Sequence, residues 1–341
     1  MKWIARCIGL VIIIGGTVWA RAETSVRAPA TQPAGVARAQ PTARPVPAIQ
    51  RAVIISVDGL RPDVLLRANT PNMHHLYESG SFSFWARTTP ASITLPSHTS
   101  MLTGAEVNHH GIEWNRDLPF LTPVYPAVPT LFEVAKRAGY TTAMAAGKSK
   151  FSALAKPYTL DWAFIPDETK TEDAEVAEHA VDIIHKHRPQ VLFVHFPSTD
   201  NVGHAKGWGT PIQIKTVEKA DEALGTVLRA LDEEKLTDST FILLTSDHGG
   251  AGRTHGPDDP RSRHIPWIAV GPGIQKNLDL TTYPKLVIDT QDTFATVCWL
   301  LAIPTNPRDV DGKPITEILQ RNELLHVADS PAAPAPTAPR P

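Results

Sequence analysis

Six residues of metal-ligating type fall into three clusters along the chain. Asp58 follows the apolar run Ala52–Val57, Asp200 and His204 form a pair, and Asp247, His248 and His255 follow the apolar run Phe241–Leu244. Carboxylate and imidazole in this mixture suit zinc better than magnesium or calcium, and six ligands are enough for two sites that each keep an open position. The chemistry available to such a pair is metal-assisted hydrolysis.

Each cluster carries a local pattern beyond its residue count. Arg51–Val57 reads as a buried strand that runs into Asp58 and Gly59, and Phe241–Ser246 repeats the arrangement before Asp247 and His248. In open α/β sheets ligands bind at the carboxyl edge of the strands, which is where both acids would stand. Asp200 and His204 follow the apolar run Val191–Phe196, and their spacing puts them on one face of a single helical turn. One acid after a strand is as a rule a turn or capping residue; three such strands, two of them with histidine as well, point to a site.

A nucleophile is expected in Thr88–Gly104, where Thr94 precedes a proline by two residues and a helix-like segment follows. Its hydroxyl would then stand at a helix N-terminus, where backbone N–H groups and the dipole favour an anion. A metal ion touching that hydroxyl would make it an alkoxide nucleophile. This segment alone serves equally well as a simple helix cap.

These segments carry a resemblance. V-D-G-L-R-P at 57–62, T-L-P-S-H at 94–98, H-G-I-x-W-N at 110–115, T-D-x-x-G-H at 199–204, S-D-H-G-G at 246–250, T-H-G at 254–256 and I-P-W-I-A-V-G-P-G at 265–273 occur in that order. The chain resembles the type I phosphodiesterase/nucleotide pyrophosphatase branch of the alkaline phosphatase superfamily, from about Ala52 to about Ile315. The resemblance implies that Asp58, Asp247 and His248 hold one zinc, with Thr94 as its fourth contact, and that Asp200, His204 and His255 hold the other. It makes Asn115 the donor to a non-bridging phosphoryl oxygen, implies a covalent phospho-threonine that is later hydrolysed, and implies a small phosphate ester as substrate.

One segment departs from the nucleotide-cleaving members. After the strand-like run Thr141–Ala145 the chain has Gly147-Lys148-Ser149-Lys150-Phe151, which resembles the lysine and arginine pairs of superfamily members acting on phosphate monoesters or phosphonates. A terminal phosphoryl group carries an extra negative charge, and Lys148 and Lys150 beside it would select for it; a solvated loop is the plainer reading. A sulfatase with the same metal core is disfavoured, because Leu95-Pro96-Ser97-His98 after Thr94 does not match the C/S-x-P-x-R signature. A phosphoryl-group transferase stays open. A non-catalytic, metal-stabilised binding protein would have lost a ligand or the nucleophile, and none is missing.

Other conspicuous residues suit blander roles. His98, one turn after Thr94, would support the helix or a metal ligand, and His195 within a strand run would be a hydrogen-bonded core residue. His109 and His110 read as loop residues, His264 as a neighbour of the site, and Trp114 as either a stacking platform or packing.

The elements that position these residues alternate between strand and helix, which argues for a mostly parallel sheet with helices on both faces. Strands are expected at Ala52–Val57, Thr141–Ala145, Val191–Phe196, Phe241–Thr245 and Trp267–Val270, and helices at Thr130–Ala138, Asp173–His187, Pro211–Leu231 and Thr290–Leu301. The fold class is therefore α/β, and the resemblance makes it alkaline-phosphatase-like, a central sheet sandwiched between helices in one domain over residues 51–327. Residues 1–22 have a basic start, a short apolar stretch and Ala20-Arg21-Ala22, the pattern of a secretory signal. A secreted or periplasmic protein with no stable membrane span after cleavage is expected, an uncleaved anchor being the alternative. Residues 23–50 and 328–341, rich in Ala and Pro, read as disordered linker and tail. Cys7 would leave with the signal, so Cys298 could form no internal disulfide. The formal net charge of −2 from 33 basic and 35 acidic residues excludes a basic field for nucleic acid.

Overall fold

The computed structural model describes residues 43–116, 124–167, 171–257 and 259–320. The expected signal segment, residues 23–42 of the linker and residues 321–341 lie outside them.

Eight strands form one sheet: β1 (Arg51–Val57), β2 (Ser81–Arg87), β3 (Thr142–Ala146), β4 (Trp162–Phe164), β5 (Val191–Phe196), β6 (Thr240–Thr245), β7 (His264–Val270) and β8 (Leu278–Asp279). Their order is β4-β3-β5-β1-β6-β7-β2-β8. Strands β4, β3, β5, β1 and β6 run parallel, whereas β7 is antiparallel to both β6 and β2. The sheet is thus mixed and mostly parallel, as expected. The sequence reading did not include β2, β4 or β8. Two of these are only two or three residues long, and β2 carries half-buried Phe82 and Phe84 beside exposed Trp85 with a bulge between Ser83 and Ala86, which blurs its alternation.

The central strands are apolar on both faces because both faces are covered. Alternate residues of β1 enter different cores. Ile54 packs with Leu95, Met101, Phe132 and Phe294 on one side, and Val53 and Ile55 pack with Leu65, Met73, Val176 and Leu224 on the other. Helices Thr94–Thr103, Leu131–Arg137 and Asp292–Leu300 supply the first layer, and Pro71–Ser79, Asp173–His187 and Pro211–Glu233 the second. Cys298 is buried in the first core as a free thiol.

The folded chain begins earlier than Arg51. Val46 and Ile49 are 2% and 0% exposed and belong to the first core, so residues 43–50 are packed structure. Composition hid this, because two apolar residues among prolines and alanines look like linker.

The helix Pro71–Ser79 starts without a side-chain cap of its own. Instead Asp221, from the long helix Pro211–Glu233, accepts the Met73 N–H at 2.7 Å, the Asn72 N–H at 3.1 Å and the Asn72 side-chain amide at 2.8 Å. Asp221→Ala would strand these donors. We expect a loss of about 1–3 kcal/mol, read as a lower urea midpoint at unchanged slope; an unaltered midpoint would show that the cross-helix cap contributes nothing.

Candidate metal centre and nucleophile

Strand order decides the site. The three strands that precede the ligand clusters, β5, β1 and β6, are neighbours, and their register pairs Val57 with Phe196 and Ser56 with Thr245. The chain leaves each of them at the same sheet edge, and adjacent strands lie only about 4.8 Å apart. Asp58, Asp200 and Asp247 are therefore crowded together with almost no exposure.

Each carboxylate has one oxygen held by protein and one bare. Asp247 Oδ1 accepts the N–H groups of Gly59 at 3.1 Å and His248 at 3.0 Å. Asp58 Oδ2 accepts from His195 Nε2 at 2.9 Å and from Lys148 at 2.6 Å, and Asp200 Oδ2 accepts from Lys148 at 2.6 Å. Asp58 Oδ1, Asp200 Oδ1 and Asp247 Oδ2 are buried without a hydrogen-bond partner among the described residues. These three oxygens lie 3.4, 4.0 and 3.3 Å from His248 Nε2.

The histidines are set to offer lone pairs. His248, His204 and His255 each direct Nδ1 at a carbonyl oxygen, those of Gly249 at 2.8 Å, Arg253 at 3.0 Å and Ser92 at 2.7 Å. A carbonyl only accepts, so Nδ1 carries the proton and Nε2 is left as the ligand atom. His204 Nε2 and His255 Nε2 face each other at 3.1 Å, and Asp200 Oδ1 lies 3.4 and 3.7 Å from them. Two lone pairs beside a bare carboxylate oxygen call for a cation.

Titration behaviour follows from the crowding. Burial opposes ionisation of Asp58, but Lys148 and the His195 hydrogen bond hold its carboxyl well below the usual range. Asp247 is pushed well above that range by burial and by the neighbouring Asp58 charge. Burial, with His255 alongside, lowers His248 to about 4, so its ring is neutral and available to a metal at ordinary pH. Bare buried oxygens, aligned lone pairs and excess negative charge together fit divalent cations.

The two expected ligand sets overlap in space. Asp200, His204 and His255 come together as one set, but Asp200 also joins Asp58 and His248, with Asp247 beside them. Asp200 therefore stands between the two. Thr94 is the first residue of the buried helix Thr94–Thr103, and its Oγ1 is 3.3 Å from His248 Nε2. Asn115 Oδ1 accepts the N–H of Leu95 at 3.0 Å.

Neither lysine of the 147–151 segment is a solvated loop cation. Lys148, 6% exposed, bridges Asp58 and Asp200, and Lys150 donates to Asn115 Oδ1 at 3.2 Å and Asn115 O at 3.3 Å. His98 donates from Nδ1 to Thr94 O at 2.9 Å and its Nε2 accepts the Ser56 hydroxyl at 2.8 Å. His195 Nδ1 accepts the Gly147 N–H at 3.3 Å, so its Nε2 carries the proton given to Asp58. His109 pairs with Asp311 at 2.8 Å, buried His110 meets Ser100 at 3.0 Å, His264 stacks on Trp85 at 3.8 Å, and Trp114 packs against the first core.

A model of the type I phosphodiesterase/nucleotide pyrophosphatase family matches residues 52–257, which hold all three ligand clusters and Thr94. The chain belongs to this family. Among curated relatives, human GPI ethanolamine phosphate transferase 2, catalytic subunit, is 25% identical over 330 residues, covering 90% of this chain and 32% of that protein. Human ectonucleotide pyrophosphatase/phosphodiesterase family member 5 is 23% identical over 214 residues, 59% of this chain and 45% of that protein. The chain thus spans less than half the length of these relatives. Among solved structures, an inactive variant of the murine family member 5 in complex with AMP superposes with a TM-score of 0.66 at 14% identity, covering 80% of this chain and 100% of that one. A putative sulfatase from Bacteroides thetaiotaomicron gives 0.64 at 15% identity, over 79% and 74%. These likenesses establish the alkaline-phosphatase-like fold.

Within this phosphodiesterase/pyrophosphatase domain, sequence reasoning missed one structural part of the site. Trp208 donates from Nε1 to Gly59 O at 2.8 Å, and a Cβ on Gly203 or Gly250 would stand 2.6 or 2.4 Å from its ring. It also lies edge-on to His204 with ring centroids 5.1 Å apart. The signal was the glycines at 203 and 250 inside two of the motifs, which together form the slot for an indole. No helix among the described residues is long and apolar enough to cross a membrane.

Proposed function

We propose that this chain is a secreted two-zinc hydrolase of phosphoric diesters or phosphoanhydrides that acts through a phospho-threonine at Thr94. The reading is carried by one observation: three bare carboxylate oxygens surround His248 Nε2, and the Thr94 hydroxyl lies 3.3 Å from that nitrogen. Asp58, Asp247 and His248, with Thr94, would hold one zinc, and Asp200, His204 and His255 the other. Bound zinc would lower the pKa of the Thr94 hydroxyl and neutralise charge developing on the attacking and leaving oxygens.

The remaining steps belong to the chain. Thr94 Oγ1 gives up its proton and attacks phosphorus, a P–Oγ1 bond forms, and the bond to the leaving group breaks, the departing oxygen keeping the electron pair and taking up a proton where it leaves as an alcohol. The buried start of the helix Thr94–Thr103 favours the anionic group held there. Asn115, its Oδ1 occupied by the Leu95 N–H, presents Nδ2 as donor to a non-bridging oxygen. Water then cleaves the P–Oγ1 bond and restores the hydroxyl. Residues 1–22 would direct secretion.

Both lysines have protein partners, which favours the diester over the monoester or phosphonate reading. The test is kcat/KM of the zinc-loaded protein on a p-nitrophenyl phosphodiester and the matching monoester. Diester preference and full loss with chelator are expected. Monoester preference would overturn the diester assignment, and chelator-resistant turnover would overturn the metal assignment. A phosphoryl-group transferase is the second reading, favoured by the match over 90% of the chain to a human ethanolamine phosphate transferase. It predicts that an added alcohol acceptor diverts product from hydrolysis to transfer.

A further inference from the structure

The segment Lys148–Phe151 crosses the site with three side chains tied to three different parts of it. Lys148 holds Asp58 and Asp200, and the fully buried Phe151 ring lies 4.8 Å from His98 and 4.4 Å from His195 between ring centroids. Lys150 holds Asn115. We propose that Lys150 is a positioning residue, which fixes Asn115 so that its amide donors face the phosphoryl group at Thr94, and that it does not itself read the charge of the substrate.

The inference rests on the phosphoryl-transfer reading above and on the chemistry of an amide. A carboxamide has two branches of nearly equal shape, one an acceptor and one a donor, so a half-turn about its last bond would aim an acceptor at the phosphate and repel it. Two groups that can only donate, the Leu95 N–H at 3.0 Å and the Lys150 ammonium at 3.2 Å, converge on one branch of Asn115. Only oxygen can satisfy both, so the other branch is the NH₂ group. The ammonium also holds the Asn115 main-chain oxygen at 3.3 Å. This matters because Asn115 lies in a stretch without helix or strand and has no ladder to fix its backbone. Lys150 is itself anchored, since the next residue is the buried Phe151 ring.

A double-mutant cycle separates positioning from charge reading. Lys150→Met, Lys150→Arg, Asn115→Ala and Asn115→Ala/Lys150→Met are assayed on the p-nitrophenyl diester and monoester, with thermal midpoints measured in parallel. Removing a fixed donor of this kind typically costs about 100-fold in turnover, so Asn115→Ala should fall by about that much and Lys150→Met by roughly 10-fold. The Lys150→Met loss should be in kcat, with KM nearly constant, and equal on both substrates. Lys150→Arg should recover most of it. In the Asn115→Ala background Lys150→Met should cost almost nothing further, because its partner is already gone.

Losses that multiply across the cycle, or a loss confined to the monoester and expressed in KM, would overturn the proposal and make Lys150 a substrate contact. A loss in Lys150→Met that follows a fallen thermal midpoint, with Lys150→Arg failing to recover it, would reduce it to a structural role and overturn the proposal as well. If Asn115→Ala turns over as wild type, the donor role of Asn115 fails first, and that result is distinct from any outcome at Lys150.

Discussion

Thr94→Ala is expected to retain both metal ions and the folded state yet lose turnover by about 10⁴-fold or more, the scale seen when a nucleophile is removed from a site whose residues act as a unit. The Thr94 hydroxyl faces His248 Nε2 from the first turn of a helix that is buried along its whole length. The change removes a hydroxyl and a methyl group and leaves the backbone hydrogen bonds of the helix in place, so the fold should hold at a modest cost in stability. The capping alternative predicts something different: a modest fall in stability with activity kept. Metal content by elemental analysis, thermal midpoint and kcat together distinguish the two. Turnover like that of wild type in a fully loaded Thr94→Ala protein would remove Thr94 as nucleophile. Thr94→Ser, which keeps a hydroxyl at the same place, should keep a substantial part of the rate.

Lys148→Met should strongly destabilise the protein when metal is stripped from it and do so far less when zinc is present. Asp58, Asp200 and Asp247 are at most 3% exposed, and Lys148 is the cation that ion-pairs two of them. Breaking a buried pair by removing one partner leaves an uncompensated charge and costs about 3–5 kcal/mol, which in a domain of this size is a fall in melting temperature on the order of 10 °C. Zinc should offset most of this, since at the proposed sites divalent cations would compensate the same carboxylates and favour the folded chain over the unfolded one. The zinc-induced rise in melting temperature should therefore be larger in Lys148→Met than in wild type. Equal melting temperatures for the two chelated proteins would show that Lys148 is not the counter-ion of the metal-free site.

The pair has a defined pH window. Asp58 is depressed in the fold, so its contribution is full above an unfolded carboxyl value of about 4 and is lost as pH falls through the folded one. Lys148 is raised by its two carboxylates against the effect of burial, so its contribution is full below about 10 and is lost as pH rises through its folded value.

Much of the fold was legible because it rests on local rules. β5 and the helix Asp173–His187 stand where periodicity placed them, and β1, β3 and β6 differ from expectation by about one residue at an end. A strand buried on both faces must be apolar throughout, and a helix covering it must repeat its apolar residues every three to four positions. What escaped was set by distant partners. Val46 and Ile49 are core residues only because the chain before β1 folds against the first layer, and β2 is a strand because β7 lies antiparallel beside it.

The site divides in the same way. Residue types and spacing by themselves pointed to the family, to six candidate ligand positions, to Thr94 as candidate nucleophile and to the sheet edge at which they should meet, because a metal site needs specific atoms and those atoms come from a short list of side chains. Only the tertiary structure decided that β5, β1 and β6 are neighbours, that Asp200 stands between both ligand sets, and that Lys148 and Lys150 turn inward to Asp58, Asp200 and Asn115. Strand order and the direction of a long flexible side chain depend on contacts between residues far apart in the chain, and a lysine after a strand has the same sequence whether its ammonium meets solvent, substrate or a buried carboxylate.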